Sequence, residues 1–217
     1  MSSDLKLYTS STPNGRKVTV YLEELKTAYG ITYDIHQKEP WFISINPNGR
    51  IPVLTDLARK DAEHPDGFHI MESGAILLYL AQTRDTQHQF SFDPVVDPIH
   101  YSEVVQWVFF TAAGLGPMLG QLGYFTRLQE DVPAAKKRFR DETIRLLGVL
   151  DIRLKDRDYL AGPGRGKFTV ADINAYPFVS AHSFVGLELA EHPNVQAWFK
   201  RVGDREAVKV GMATTPS

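Results

Sequence analysis

Two short stretches of the chain put hydrogen-bonding side chains where a backbone can present them. Thr12-Pro13-Asn14-Gly15 stands between a strand pattern and a helix pattern, and Glu72-Ser73 stands immediately before a second helix pattern. A helix N-terminus carries unsatisfied N–H groups and a partial positive charge, so it can hold an anion. Ser73 adds a hydroxyl at such a terminus, and Glu72 adds a carboxylate that can accept from an ammonium group. Both stretches also have a plainer reading. Thr, Pro, Asn and Gly are preferred turn residues, and a short polar side chain is an ordinary way to start a helix. Thr169-Val170-Ala171-Asp172 is a third helix start, whose Thr-x-x-Asp spacing is that of a capping pair and is assigned to structure.

Cysteine is absent from the 217 residues. That excludes structural disulfides, thiolate metal sites and a Cys nucleophile, so any thiol chemistry must use a thiol brought by a substrate or cofactor. His36, His64, His69, His88, His100, His182 and His192 are scattered without metal-ligand spacing, which predicts no metal site. No strand pattern leads into Gly162-Pro163-Gly164-Arg165-Gly166, so this glycine-rich stretch reads as a flexible loop and not as a phosphate cradle. The formal net charge of −2, without a basic stripe, argues against a nucleic-acid partner. No apolar run approaches the roughly 18 residues a membrane helix needs. The polar stretch 1–6 lacks the apolar region of a signal peptide, and the expectation is a cytoplasmic protein with no membrane partner.

The elements that would position these residues follow from periodicity. Leu5 to Thr9 alternates as a strand, Val18, Leu22, Leu25 and Tyr29 recur at helical spacing up to Gly30, and Ile31 to Ile35 alternates again. Strand, helix and strand in this order predict a parallel pair. An irregular stretch from His36 to Arg50 contains the turn signal Asn46-Pro47-Asn48-Gly49. Ile51 to Thr55 reads as a third strand, 59–67 as a hairpin loop and Phe68 to Met71 as a fourth strand, with a helix after Glu72-Ser73. Phe90 to Pro98 reads as a linker. Beyond it Tyr101, Val104, Val108, Ala112 and Leu115, and then Phe139, Thr143, Leu146, Leu150 and Leu154, keep helical period, which predicts a helix bundle. Gly114, Gly116, Pro117 and Gly120 must bend or interrupt a helix, and 211–217 reads as a frayed tail. The content of 43% hydrophobic and 23% charged residues is that of an ordinary globular chain long enough for two small domains.

In this order and spacing, Thr12-Pro13-Asn14-Gly15, Asn46-Pro47-Asn48-Gly49-Arg50-Ile51-Pro52, Glu72-Ser73 and Thr169-Val170-Ala171-Asp172 resemble the glutathione transferase family over essentially the whole chain. Thr12-Pro13-Asn14-Gly15 and Gly114-Leu115-Gly116-Pro117-Met118-Leu119-Gly120-Gln121 are similar to the Nu-type bacterial disulfide-bond reductases and to the fungal class related to the yeast nitrogen-catabolite repressor. Residue physics does not separate these two branches. The resemblance implies an α/β thioredoxin-like N-terminal domain (βαβ-α-ββα) over 1–88, a linker over 89–98 and an all-α C-terminal helix bundle over 99–217. It also implies glutathione, reduced or oxidised, as substrate, a hydrophobic or disulfide co-substrate, and a homodimer.

The same resemblance assigns the site. Ser73 would bind the γ-glutamyl carboxylate and Glu72 the γ-glutamyl ammonium. The Ile51 backbone would pair with the cysteinyl backbone of glutathione, with Pro52 cis; spacing alone reads Pro52 as a trans edge residue. Gln37 and Arg50 are implied polar contacts that read equally as solvated side chains. Arg138 matches a position that reaches the glutathione of the partner subunit, although its basic helix face also reads as plain surface. A thiol with a pKa of about 8.5 is mostly protonated at neutral pH, and a donor aimed at the sulfur favours the thiolate. By position that donor is Tyr8, Ser10, Ser11, Thr12 or Asn14; the Nu-type resemblance favours Asn14 and Thr12 as the catalytic residues. Met118, Tyr124 and Phe125 read either as the lining of a second-substrate pocket or as core. The implied activity is glutathione-dependent disulfide reduction with weaker conjugating and peroxidase activity, in detoxification or oxidative stress. The alternatives are a regulatory or ligand-binding protein that keeps the glutathione site, or a structural domain of a larger complex.

Overall fold

The computed structural model describes residues 3–215. In chain order its elements are β1 (Leu5–Tyr8), α1 (Pro13–Tyr29), β2 (Asp34–His36), a 3₁₀ turn (Pro40–Ser44), β3 (Val53–Asp56), β4 (Phe68–Met71), α2 (Ser73–Thr83), α3 (Pro98–Phe110), a π-helical turn (Thr111–Leu115), α4 (Gly116–Arg127), α5 (Pro133–Leu154), α6 (Val170–Val179), a second 3₁₀ turn (Ser183–Val185), α7 (Pro193–Gly203) and α8 (Glu206–Ala213). They form two compact units. One holds the residues up to Gln87 together with those from Arg205 on, and the other holds His88–Asp204.

In the first unit the described residues form a four-stranded sheet in the order β2-β1-β3-β4. β1 pairs parallel with β2 and antiparallel with β3, and β3 pairs antiparallel with β4. β3 lies between two neighbours and all four of its residues are buried. α1 has a cap at each end: Thr12 with Pro13 at its start, and Gly30 in the left-handed region (φ 71°) with its N–H on the Lys26 carbonyl at 2.9 Å. β4 falls on Phe68–Met71 as expected.

Four expectations are corrected. The second strand is Asp34–His36 and not 31–35. The chain leaves α1 through Gly30 and uses 31–33 to cross to the sheet edge, where Ser3 Oγ donates to the Thr32 carbonyl (2.6 Å) and Tyr33 Oη to Glu23 (2.9 Å). The third strand starts two residues later than expected, after a cis Ile51–Pro52 bond. The expected tail from 211 is helical as far as Ala213, while Pro216 and Ser217 lie outside the described residues. That last helix, expected with the bundle, packs on α1. A Cβ on Gly211 would stand 2.4 Å from Val20 Cα, Thr19 Oγ1 donates to the Gly211 carbonyl at 2.7 Å, and Arg205 grips Glu24 through two nitrogens at 2.6 and 2.8 Å. The approach is so close that no side chain fits at 211.

The second unit is helical, apart from an isolated bridge between Ala161 and Lys167. The 90–98 stretch has no helix until Pro98. It is nevertheless tied down, because the Val170 N–H donates to the Phe90 carbonyl and Lys167 Nζ to the carbonyls of His88 and Ser91. The glycine-rich stretch interrupts its helix as expected, through the π turn that hands α3 over to α4 at Gly116. A Cβ at Gly116 would come within 2.9 Å of the Phe178 ring.

α6 is buried along its whole length. Thr169 caps it, and Thr169 with Asp172 completes the capping box read from the sequence. Asp172 is wholly buried and accepts from the Leu160 N–H (3.0 Å) and Trp198 Nε1 (2.8 Å) on one oxygen, and from the Thr169 N–H (3.0 Å) and hydroxyl (3.3 Å) on the other. Burial pushes its carboxyl up to about 6, with these hydrogen bonds acting the other way. The folded carboxyl therefore holds its proton above the ordinary 3.8, so its contribution to stability is complete below 3.8 and is lost as pH rises through about 6. Asp172→Asn places an NH₂ against donors and is expected to destabilise the protein by roughly 2–4 kcal/mol. Urea unfolding between pH 4 and 7 checks both points: the variant unfolds earlier and lacks the fall in stability over that window.

Candidate functional site

The sheet register gathers the candidate residues. Tyr8 pairs with Val53 and Val53 with Met71. The end of β1, the start of β3 and the end of β4 therefore share one end of the sheet, which brings the Ser10–Gly15 turn, Ile51-Pro52 and Glu72-Ser73 to the same edge.

The turn from β1 into α1 is tight. The Thr12 N–H donates to the Ser10 carbonyl at 2.7 Å, and Thr12 Oγ1 accepts from the Gly15 N–H at 3.2 Å. A Cβ at Gly15 would lie 2.2 Å from the Ser10 carbonyl oxygen and 2.4 Å from Thr9 Oγ1, so only glycine fits. Thr12 thus does the turn and cap chemistry expected of it. Its oxygen is engaged as an acceptor while its O–H can still donate. Pro13 takes the first helical position and leaves Asn14 exposed at the second.

The turn from β4 into α2 is strained. Glu72 has φ 70° and ψ 116°, a left-handed conformation that costs a non-glycine residue about 1–3 kcal/mol. The bend sets Ser73 at the first position of α2. Ser73 is buried, and its hydroxyl donates to Asn14 Oδ1 at 3.3 Å. The N-termini of α1 and α2 are therefore adjacent, and their partial positive charges add. Behind them lies Lys17, 1% exposed, whose ammonium donates to Ser73 Oγ at 3.3 Å. Burial pushes the Lys17 ammonium down to about 7, and the Glu72 carboxylate acts against that fall. Two helix N-termini and a buried amine on one spot suit an anionic ligand.

Ile51-Pro52 is cis, as the resemblance implies. The preceding loop is organised by buried Asn46. Its Nδ2 donates to the Arg50 carbonyl at 2.7 Å and its Oδ1 accepts from the Asn48 N–H at 3.0 Å. The Arg50 main chain is thereby fixed while the Arg50 and Gln37 side chains stand exposed. Tyr8 is engaged elsewhere: it stacks on His36 and meets Trp41 and Phe42 edge-on, and burial raises its phenol. In the second unit Arg138 is exposed on α5, Phe125 stacks on Phe139 and Tyr124 is exposed. No group of three or more metal-ligating residues occurs among the described residues, and none of their helices is long and apolar enough to cross a membrane.

The structure therefore joins Asn14, Glu72 and Ser73, with Thr12 in the same turn and Ile51-Pro52 at the same sheet edge. Sequence reasoning missed Lys17. Its signal was position: Lys17, Tyr21 and Glu24 fall one helical turn apart on a face where all three are buried, so a charge stands in a stripe that otherwise goes inward.

Comparison with known proteins agrees with this architecture. The pattern of the glutathione S-transferase N-terminal domain matches residues 12–83, and that of the glutathione S-transferase C-terminal domain matches 117–206. The disulfide-bond oxidoreductase YfcG of Escherichia coli is 35% identical over 214 residues, covering 94% of this chain and 92% of that protein. A glutathione transferase homolog from Lodderomyces elongisporus, solved with two glutathiones per subunit, superposes with a TM-score of 0.87 at 31% identity, covering 97% of this chain and 98% of that one. The glutathione transferase URE2P6 from Phanerochaete chrysosporium, solved with oxidised glutathione, gives 0.84 at 35% identity, covering 96% and 94%. Domain matches in both halves, and relatives of this identity along nearly the whole length, show that the chain belongs to the glutathione S-transferase family.

Proposed function

We propose that the protein is an enzyme that binds glutathione at the Asn14–Ser73 edge and uses it to reduce disulfides, with weaker conjugating and peroxidase activity. The observation that carries this reading is the hydrogen-bonded meeting of the two helix N-termini, in a chain without a cysteine of its own. The glutathione bound in related structures, and a disulfide-bond oxidoreductase among the relatives, support it.

In this reading the γ-glutamyl carboxylate lies against Ser73 and the N–H groups of α2, and the γ-glutamyl ammonium against Glu72. The Ile51 backbone pairs with the cysteinyl residue, and Gln37 and Arg50 close around the peptide. Because Asn14 Oδ1 receives the Ser73 hydroxyl, its NH₂ points away from Ser73 and can donate to the sulfur. Thr12 supplies a second donor. The glutathione thiolate attacks one sulfur of the substrate disulfide, forming a mixed disulfide and releasing the other sulfur as a thiolate that takes up a proton. A second glutathione thiolate then attacks the glutathione sulfur of the mixed disulfide, giving oxidised glutathione and the second substrate thiol. No protein sulfur takes part, and proximity of the two small-molecule sulfurs supplies much of the rate. Arg138 would reach the glutathione of the partner subunit in a homodimer, and the expected compartment is the cytoplasm.

Two measurements test the reading. Hydroxyethyl disulfide reduction, coupled to glutathione reductase, should proceed well above aromatic halide conjugation. Activity in neither assay, with glutathione still bound, would favour a regulatory or ligand-carrying role. Asn14→Ala should raise the pKa of the bound thiol by about one unit, equivalent to about 1.4 kcal/mol, and lower turnover roughly tenfold or more. The ultraviolet absorbance of the thiolate against pH reads the first and steady-state kinetics the second. An unchanged thiol pKa would move the role to Thr12 or Tyr8.

A further inference from the structure

We propose that Lys17 is a positioning residue of the glutathione site, acting through Ser73 on the orientation of the Asn14 amide. The proposal rests on the reading of this edge as a glutathione site. Its basis is an unbroken series of directed hydrogen bonds: Lys17 Nζ donates to Ser73 Oγ at 3.3 Å, and Ser73 Oγ donates to Asn14 Oδ1 at 3.3 Å. The series starts in the interior, where Lys17 is 1% exposed, and ends at an exposed residue on the first turn of α1.

The direction of the series is the point. In its ammonium form Lys17 has only N–H donors, so its contact with Ser73 then uses a lone pair of Oγ. That turns the single Ser73 hydrogen outward, toward Asn14. An amide facing an O–H presents its oxygen, which sends both Nδ2 hydrogens the other way, to where a sulfur would lie. With a serine alone the hydroxyl could rotate, and the Asn14 amide could sit either way round. The lysine thus sets the polarity of two side chains it does not outreach. It also places a positive charge behind the α2 N–H groups that would receive the γ-glutamyl carboxylate, at the junction of two helix N-termini whose charge has the same sign. Such a grouping is unfavourable until an anion arrives. Glu72, whose carboxylate acts on the Lys17 ammonium, offsets part of it.

The role differs from that of an ordinary buried ion pair. Glu24, further along α1, and Arg205, at the start of α8, hold a bidentate contact that joins two helices. Lys17 instead spends a charged hydrogen bond on a serine hydroxyl that leads to the surface.

The test is a double-mutant cycle on the whole protein with Lys17→Met, Ser73→Ala and the pair, reading KM for glutathione, kcat for hydroxyethyl disulfide reduction and the pKa of bound thiol. Met fills the space of the lysine stem without a charge, and replacing a buried charge with an apolar group is commonly neutral or stabilising; urea unfolding checks that the variant is folded. Lys17→Met should raise KM about tenfold, the loss of one charge-assisted hydrogen bond, and should raise the bound-thiol pKa. In the Ser73→Ala background the same change should add little, because the lysine acts through that hydroxyl. A purely structural lysine would lower stability and leave the thiol pKa alone. If Met does not fold, Lys17→Gln, whose amide oxygen can draw the Ser73 hydrogen inward and away from Asn14, must also raise the thiol pKa. An unchanged KM and thiol pKa in the folded variant, or effects of Lys17→Met and Ser73→Ala that multiply in full, would overturn the proposal while the glutathione site stands. Failure of the unaltered protein to bind glutathione would overturn both.

Discussion

Charge of one sign gathers at one end of the sheet, and much of the first unit is arranged around it. The N-termini of α1 and α2 each carry roughly half a positive charge, and the Ser73–Asn14 contact holds them together. The Lys17 ammonium adds to them from behind. Left to themselves these groups repel. What keeps them together is the rest of the unit: a sheet whose register fixes where three chain segments end, a glycine at 15 that lets the first turn close, and a glutamate at 72 that accepts a left-handed backbone so that α2 can start where it does. The strain and the repulsion are local, and the packed sheet and helices behind them supply the stability.

The local parts of this arrangement were legible in the sequence. Thr12-Pro13-Asn14-Gly15 declares a turn and a helix start because each residue type has its own stereochemical reason to be there, and the structure uses all four as such. Phe68–Met71 and the Thr169–Asp172 capping box were readable for the same reason. What was not readable depended on partners distant in sequence. The start of β2 at Asp34 follows from pairing with Lys6, and the helicity of 211–213 follows from contact with α1. Lys17 was not singled out because lysine is a residue type that ordinarily stays solvated, and only the packed α1 shows that it is buried. Arg50 and Gln37 remain where the sequence left them, as exposed side chains beside an ordered main chain.

The two units treat a buried charge in opposite ways. Asp172 is enclosed by four donors and holds the start of α6 to Leu160 and Trp198. Every atom it touches is framework, and the result is a stiff joint inside the helical unit. Lys17 is buried as deeply, but one of its hydrogen bonds passes through Ser73 to a residue that faces outward. The same desolvation that makes a buried carboxylate a clamp makes this buried amine responsive to what arrives at the surface.

The position of α8 bears on the order in which the chain can become structured. The first unit is discontinuous, since the face of α1 that carries Thr19, Val20 and Glu24 is covered by residues that follow the entire helical unit. During vectorial synthesis the strands and α1 emerge long before their last partner. Until Arg205 appears, Glu24 lacks the guanidinium that grips it in the finished protein. The thioredoxin-like half is therefore first to be made and last to be closed, and a nascent chain that stops short of α8 leaves that face of α1 uncovered.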